Sequence, residues 1–167
     1  MKIHSLRELY VQMLSELAAA GRLLMRAYPR MARAASHEDL VAALEEHRAE
    51  TEEQVERLER LLGRHGTGGA GARCPGCAGL VADCEAVLEA DMGPELRDAA
   101  LVAVAQRIEH YEIAGYGTAR TFAEMLSEDD DARILQLGLD EAIEEDERLT
   151  EIAEDTVNAD AGMAGGD

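Results

Sequence analysis

The sequence has 167 residues, enough for one domain with a single apolar core. Its 35 acidic and 16 basic residues give a formal net charge of −19, which argues against direct binding to nucleic acid or to an anionic membrane. No apolar run approaches the roughly 20 residues that a membrane helix needs, and the N-terminus lacks the apolar region of a signal peptide, so we expect a cytoplasmic protein.

The first two predicted helices are long, and each begins with a capping motif. Residues 5–8 (SLRE) form a capping box, in which the serine and glutamate side chains bind each other's backbone amides. Apolar residues then recur at helical spacing, which predicts a helix over residues 5–34. A second capping motif at residues 36–39 (SHED) predicts a second helix that ends before Gly66.

A glycine-rich segment follows the second helix. Residues 66–71 contain four glycines and predict a flexible linker, because glycine disfavours helix. A shorter amphipathic helix is expected over residues 78–92. Gly93 and Pro94 then end that helix and open a third long helix over residues 94–126, since proline is favoured in a first helical turn.

The fourth long helix begins at another capping motif, SEDD at residues 127–130, and runs to about residue 156. The small polar residues 158–167 predict a disordered tail. Four amphipathic helices of similar length predict an all-α fold over residues 1–157. We expect an antiparallel, up-down four-helix bundle of the ferritin-like kind, with the short extra helix between the second and third long helices. An extended coiled coil is the alternative, but the glycine-rich break argues against it.

Charged residues lie near the midpoints of two of these helices, which share one height in such a bundle. His47 and Glu50 are three residues apart on the second helix, and Glu109 and Glu112 are three apart on the third. This spacing places each pair on one helix face, the arrangement by which di-iron carboxylate proteins hold metal inside a bundle. The alternative is that the acids lie on solvated edges and that His47 bonds to a neighbouring carboxylate.

Several segments of the predicted helices match a known pattern. They are YPRM (28–31), EEH (45–47), ET (50–51), RDAAL (97–101), EHYEIA (109–114), YGT (116–118) and LTEIA (149–153). Through these segments, residues 5–154 resemble the YciE/YciF branch of the ferritin-like superfamily. The resemblance implies a stress-associated, dimeric bundle with a dinuclear metal centre.

The same resemblance implies which residues would hold metal, with iron or another divalent ion as the cofactor. It gives metal roles to His47, Glu50, Glu109 and Glu112, and Asp146 on the fourth helix is a further candidate.

The chain departs from the family pattern at three positions. Acids are usual in the family where this chain has Met13, Gly21 and Ala142. Loss of the inward acids at Gly21 and Ala142 removes two ligands and about two negative charges from a dinuclear cage. Three outcomes are open: a single metal on the remaining ligands, a cage restored by Glu145 or Asp146, or a metal-free cavity lined by Gly21 and Ala142.

Three cysteines lie in or near the predicted linker. Cys74 and Cys77 form a CxxC motif, a spacing found in redox pairs and in zinc sites. One interpretation is a reversible disulfide between Cys74 and Cys77, exposed in a mobile linker. The others are a zinc site completed by Cys84 and His65, and a set of inert thiols.

These observations favour a stress-associated helical bundle with a partial metal site, either mononuclear or degraded, and with iron-dependent oxygen or peroxide chemistry if it is active. A metal-free dimeric bundle with a structural or protein-binding role is the alternative, and a thiol switch through the CxxC motif is a third. A homodimer is expected in each case, because a slim bundle rich in leucine and alanine often buries one face against a second copy.

Overall fold

The computed structural model describes residues 2–68 and 71–164, and all of its regular elements there are helical. The helices are α1 (Leu6–Ala34), α2 (Glu38–Arg64), α3 (Pro75–Glu89), α4 (Pro94–Met125), α5 (Asp129–Ile152) and α6 (Asn158–Ala164), with one π-helical turn (Ala153–Val157) between the last two. Residues 69 and 70 of the predicted linker lie outside the described residues. The prediction of an all-α fold is confirmed.

The four long helices form a bundle from two helical hairpins. Helix α1 packs along α2, and α4 packs along α5; the hairpins then join through α1 against α4 and α2 against α5. The short helix α3 lies against α1 and α4. The predicted four-helix bundle with an extra helix between the second and third long helices is therefore confirmed. None of the helices in the described part of the chain combines the length and apolarity that a bilayer crossing demands.

The helix starts show how local and tertiary contacts share the capping role. Ser5 caps α1 as predicted, because its Oγ accepts from the Glu8 amide at 3.1 Å. The second bond of the predicted capping box differs, since Oε2 of Glu8 accepts from the His4 amide at 2.7 Å. Helix α2 is capped differently, since its N-cap residue His37 makes no side-chain capping bond. Instead, Asp98 of α4 accepts from the backbone amides of Ser36 and His37, each at 2.9 Å.

Helix α3 begins three residues before its predicted start at residue 78. Pro75 is its first residue, where a proline loses no helical hydrogen bond. Cys74 and Cys77 are consequently a helix cap and a first-turn residue, and both are buried rather than exposed in a mobile linker.

The C-terminal end also differs from its prediction. The structure corrects the predicted disordered tail (158–167) over Asn158–Ala164, which form helix α6; residues 165–167 lie outside the described part. The π-helical turn places Val157 in the core with 2% exposure, and this contact anchors the turn from which α6 continues.

The apolar core is divided into two clusters along the bundle. One cluster contains Leu24, Leu44 and Leu101 with the apolar side of α3. The other contains Leu14 and Leu58, near the start of α1 and the end of α2, together with residues around the α4–α5 connection. Buried polar residues occupy the level between the two clusters: His47, Thr51, Gln54, Glu109, Glu112 and Glu145. The bundle therefore carries its polar layer at mid-height, enclosed by apolar packing on both sides.

Candidate metal centre

Three ionisable side chains meet in the polar layer. His47 projects inward from α2, and Glu109 and Glu112 project from α4, where a separation of three residues places both carboxylates on one face. One ligand atom from each lies within 4.8 Å of the others. The exposed fractions are 1% for His47, 0% for Glu109 and 2% for Glu112, so the group is sealed from solvent.

The ring nitrogens of His47 face different partners. Nε2 lies 3.2 Å from Oε1 of Glu109 and 3.9 Å from Oε2 of Glu112, whereas Nδ1 faces Oε2 of Glu50 at 3.5 Å. Nε2 is therefore the nitrogen that points into the centre of the cluster. Glu50 lies on the opposite side of the ring, with its side chain 51% exposed.

Several buried polar atoms of this cluster have no hydrogen-bond partner among the residues that the structure describes. They are both ring nitrogens of His47, Oε2 of Glu109 and Oε2 of Glu112. Buried polar atoms are normally hydrogen-bonded, because leaving one unsatisfied costs about 1–3 kcal/mol. A cation among these three residues would satisfy the unpartnered oxygens and Nε2 together, so the donor set fits a metal ion.

Tyr28 of α1 completes one wall of the site. Its hydroxyl donates to Oε1 of Glu109 at 3.2 Å, and its ring meets the His47 ring edge-on, with centroids 4.9 Å apart. This role was not predicted from the sequence. The available signal was spacing, since Tyr28 lies seven residues, or two helical turns, after Gly21 and so shares its inward face.

Burial and charge shift the pKa values in this layer. Burial, together with the neighbouring Glu112 carboxylate, raises the pKa of Glu109 to about 8 against the opposing effect of His47. Burial also raises the pKa of Glu145 to about 7. For His47, burial lowers the pKa, but the surrounding carboxylates together raise it well above 6.5. The metal-free layer therefore retains protons near neutral pH.

Of the two acids considered on the fourth helix, Glu145 rather than the metal-ligand candidate Asp146 is buried in the polar layer. Asp146 lies outside the cluster and pairs with the largely exposed His110 at 3.3 Å. Its neighbour Glu145 is the buried acid, 6% exposed, with Arg148 at 3.8 Å. The physical reason is the rotation of about 100° between consecutive helical residues, which turns Asp146 away when Glu145 faces inward.

The position of the lost acid on α1 is filled by a side chain of α2. A Cβ atom added at Gly21 would lie 2.5 Å from Cγ2 of Val55 and 3.6 Å from Cγ2 of Thr51. The structure thus corrects the idea of a metal-free cavity beside Gly21, because Val55 occupies that space. Ala142 on α5 is fully buried.

The cysteines lie apart from this cluster. Cys74 and Cys77 begin α3, and Cys84 is buried farther along the same helix. The proposed fourth zinc ligand, His65, instead contacts Asp131 at 2.7 Å near the other end of the bundle. Among residues 2–68 and 71–164, the side chains grouped closely enough to hold a metal are those of the polar layer.

Comparison with known proteins places the chain in a family. Residues 5–162 match the family model described as Domain of unknown function (DUF892). Protein YciF of Escherichia coli (strain K12) is 36% identical over 162 residues, which cover 96% of this chain and 98% of that protein.

Solved structures agree with this placement. The crystal structure of the E. coli stress protein YciF matches with a TM-score of 0.89 at 36% identity, covering 93% of this chain and 99% of the other. YcfI from Rhodopseudomonas palustris, provisionally described as a structural protein, matches with a TM-score of 0.84 at 35% identity, covering 89% and 95% of the two chains. This chain therefore belongs to the DUF892 family and is YciF-like in sequence and fold.

Proposed function

We propose that this protein is a stress-associated, cytoplasmic, ferritin-like bundle that binds one divalent transition-metal ion through His47, Glu109 and Glu112. The observation that carries the proposal is the convergence of three buried ligand atoms within 4.8 Å of one another. The unpartnered oxygens of Glu109 and Glu112 support it, because burying charged groups without a counter-ion is costly.

The donor set suits one ion better than two. Two carboxylates and a neutral imidazole carry two negative charges, which one divalent ion balances. A second ion would need further carboxylates, but Val55 fills the space beside Gly21, and Ala142 offers no ligand atom. Glu145, the buried acid of α5, lies beside Arg148 and outside the group of three ligands. A mixed nitrogen and oxygen set favours iron, manganese or zinc over magnesium and calcium, which prefer oxygen alone.

The surrounding residues would orient these ligands. Glu50, beside Nδ1 of His47, favours the tautomer that leaves Nε2 free to bind the metal. Tyr28 holds Oε1 of Glu109 by a hydrogen bond and leaves Oε2 for the ion. Iron at this position would supply one-electron chemistry toward oxygen or peroxide.

The stress role rests on similarity to the E. coli stress protein YciF. A second candidate function is that of a metal-free structural bundle, and the provisional description of the R. palustris relative favours it. In that case, the 3.2 Å contact between His47 and Glu109 would be a buried pair within the core. We propose a homodimer for either function, and light scattering coupled to size-exclusion chromatography measures the mass that tests this.

Metal content separates the two candidate functions. The untagged protein, expressed with added iron, is measured by elemental mass spectrometry beside Glu109→Gln/Glu112→Gln, which keeps the side-chain shapes but removes both charges. His110→Ala serves as the matched control, because His110 is an exposed histidine on the same helix. Cys74→Ser/Cys77→Ser tests for metal held by thiols.

The proposal predicts about one metal per chain in the wild type, in His110→Ala and in the cysteine variant, and none in the carboxylate variant. Metal that persists in Glu109→Gln/Glu112→Gln would refute the assignment. If the wild type contains no metal and takes up none of Fe²⁺, Mn²⁺ or Zn²⁺ in a calorimetric titration, the metal-binding function is refuted and the metal-free structural function is favoured.

A further inference from the structure

Cys74 and Cys77 open helix α3 as a pair of thiols. Cys74 is the N-cap residue, and Cys77 lies in the first turn after Pro75 and Gly76. Both thiols are free, and each is the leading cause of the shift in the other's pKa. Two cysteines separated by two residues at a helix start are the arrangement that thiol–disulfide redox pairs use.

The two thiols differ in access and in protonation. Cys74 is 4% exposed and borders a surface cavity, whereas Cys77 is fully buried, with Sγ 3.8 Å from the carbonyl oxygen of Ala20. The interaction with Cys77, together with the Tyr111 hydroxyl, lowers the pKa of Cys74 to about 6 despite burial. The hydrogen bond to Cys74 and burial raise the pKa of Cys77. Cys74 is thus the nucleophile of the pair, since the thiolate is the reactive form.

Tyr111 of α4 positions the Cys74 sulfur. Its hydroxyl lies 2.9 Å from Sγ of Cys74 and donates to the thiolate form. The ring packs directly on the backbone of Gly76, where an added Cβ would lie 2.9 Å from Cε2 of Tyr111. The glycine within the motif is therefore what allows the tyrosine to reach the thiol.

The cavity beside Cys74 has the character of a binding site for an anion with apolar parts. It has a volume of about 410 Å³, and Ala19 and Leu23 form part of its apolar wall. Three arginines line it: Arg22, Arg26 and Arg73. Arg22 pairs with Glu59, whereas Arg26 and Arg73 are exposed and make no ion pair among the residues that the structure describes. Three arginines around one cavity are notable in a chain of net charge −19.

We propose that Cys74, Cys77 and this cavity form a thiol–disulfide exchange site for small disulfides that carry carboxylate groups. The thiolate of Cys74 attacks one sulfur of the substrate disulfide, forming a mixed disulfide and releasing the other half as a thiolate. Cys77 then attacks Sγ of Cys74, which forms the intramolecular disulfide and releases the second half. The two cysteines are oxidised, the substrate gains two electrons, and the two thiol protons end on the two product thiols.

This site goes beyond the proposed metal function and uses other residues. Arg26 and Arg73 would bind the carboxylates, and the apolar wall would hold the carbon chain. The size of the cavity favours an organic disulfide over hydrogen peroxide, which needs no such space.

The first test identifies the attacking sulfur with glutathione disulfide as the anionic probe. Cys77→Ser blocks the second step, so intact-mass and peptide analysis should find one glutathione on Cys74 of the reduced variant. Cys74→Ser should form no adduct at Cys77, and the wild type should end as the Cys74–Cys77 disulfide. An adduct on Cys84, or a wild type that stays reduced, would overturn the proposal. Circular dichroism checks that each variant is folded.

The second test measures charge selection. The rate at which each reagent oxidises the cysteine pair is measured. The rate with glutathione disulfide is then divided by the rate with uncharged 2-hydroxyethyl disulfide, which normalises for thiol reactivity. In Arg26→Gln/Arg73→Gln we expect this ratio to fall about tenfold, within the range that electrostatic attraction produces. The matched control is Arg60→Gln/Arg133→Gln, which removes two exposed arginines elsewhere and should keep the ratio. An equal ratio in both variants would show that the cavity does not recognise carboxylates.

The third test addresses Tyr111 as a positioning residue. The titratable groups that face the Cys74 thiol are Cys77 on α3, Tyr111 on α4 and Glu16 on α1. In Tyr111→Phe, the ring still covers Gly76 but the hydroxyl is lost. The pH midpoint of Cys74 alkylation by iodoacetamide should therefore rise by about one unit. An unchanged midpoint would remove Tyr111 from the site.

Discussion

Replacing Glu109 with glutamine should change how the stability of the metal-free protein depends on pH. Burial raises the pKa of Glu109 from 4.5 to about 8, so between these values the folded protein holds a proton that the unfolded chain has lost. Because the unfolded chain binds fewer protons, the contribution of Glu109 to stability falls as pH rises through this window. Glutamine has no such proton, and its amide oxygen still accepts from Tyr28.

The size of the effect follows from the same pKa values. One proton gives a slope of about −1.4 kcal/mol per pH unit inside the window. Integrating this slope from pH 6 to pH 8 gives a decrease of about 2 kcal/mol in the free energy of unfolding. The decrease is less than the full slope would give, because Glu109 is already half titrated at pH 8. Glu109 has 0% exposure, so solvent screening does not reduce this figure.

Urea unfolding at pH 6, 7 and 8, in the presence of a chelator, measures the effect. The informative quantity is the difference between the wild type and Glu109→Gln, because other groups titrate in both proteins. The lowered pKa of Cys74, for example, adds stability as pH rises through about 6, which opposes Glu109.

The free energy of unfolding of Glu109→Gln, minus that of the wild type, should increase by about 2 kcal/mol between pH 6 and pH 8. The control is Glu50→Gln, since Glu50 is half exposed and its pKa is lowered, so its titration is complete below this range. Parallel curves for the wild type and Glu109→Gln would refute the conclusion that burial keeps Glu109 protonated.

Two further predictions concern the packing of the bundle. Asp98→Ala should destabilise the protein by about 1–3 kcal/mol, because it removes the acceptor for the amides that begin α2; urea unfolding measures this, and an unchanged midpoint would contradict it. Gly138→Ala should cost about 1–3 kcal/mol, since its Cβ would lie 2.6 Å from the Tyr116 ring. Gly79→Ala is its control: among the described residues, its added Cβ would meet no atom within 4 Å beyond its chain neighbours and its own helix backbone, and it should stabilise α3 by up to about 1 kcal/mol. Equal thermal shifts in the two alanine variants would show that the Tyr116 contact is not tight.

The fold was predictable because its signals are local. Helical spacing identifies the long helices, and Ser5 caps α1 as the sequence indicates. The N-cap residues of α2 and α5, by contrast, make no side-chain capping bond within the described part of the chain. The start of α2 was less predictable because its cap comes from Asp98, more than 60 residues away in the chain. Sequence patterns report which residues favour a helix end, but they do not report which distant side chain supplies the missing acceptor.

The site was predictable only in part, for a related reason. The spacing of Glu109 and Glu112 places both on one face, and His47 lies at the same height on α2. The choice between Asp146 and Glu145 depends on the rotation of α5 about its axis, and one residue changes the direction by about 100°. That rotation is set by packing against the other helices, so the sequence of α5 alone does not determine which acid is buried.

The two candidate sites meet on α4 but lie on different faces of that helix. Tyr111 and Glu112 are consecutive residues, so their side chains point about 100° apart. Tyr111 contacts Cys74 on α3, whereas Glu112 points toward His47 in the core. The thiol pair and the metal cluster therefore share a helix without sharing a ligand. For this reason, loss of metal in Glu109→Gln/Glu112→Gln would leave the thiol proposal standing, and failure of disulfide exchange would leave the metal proposal standing.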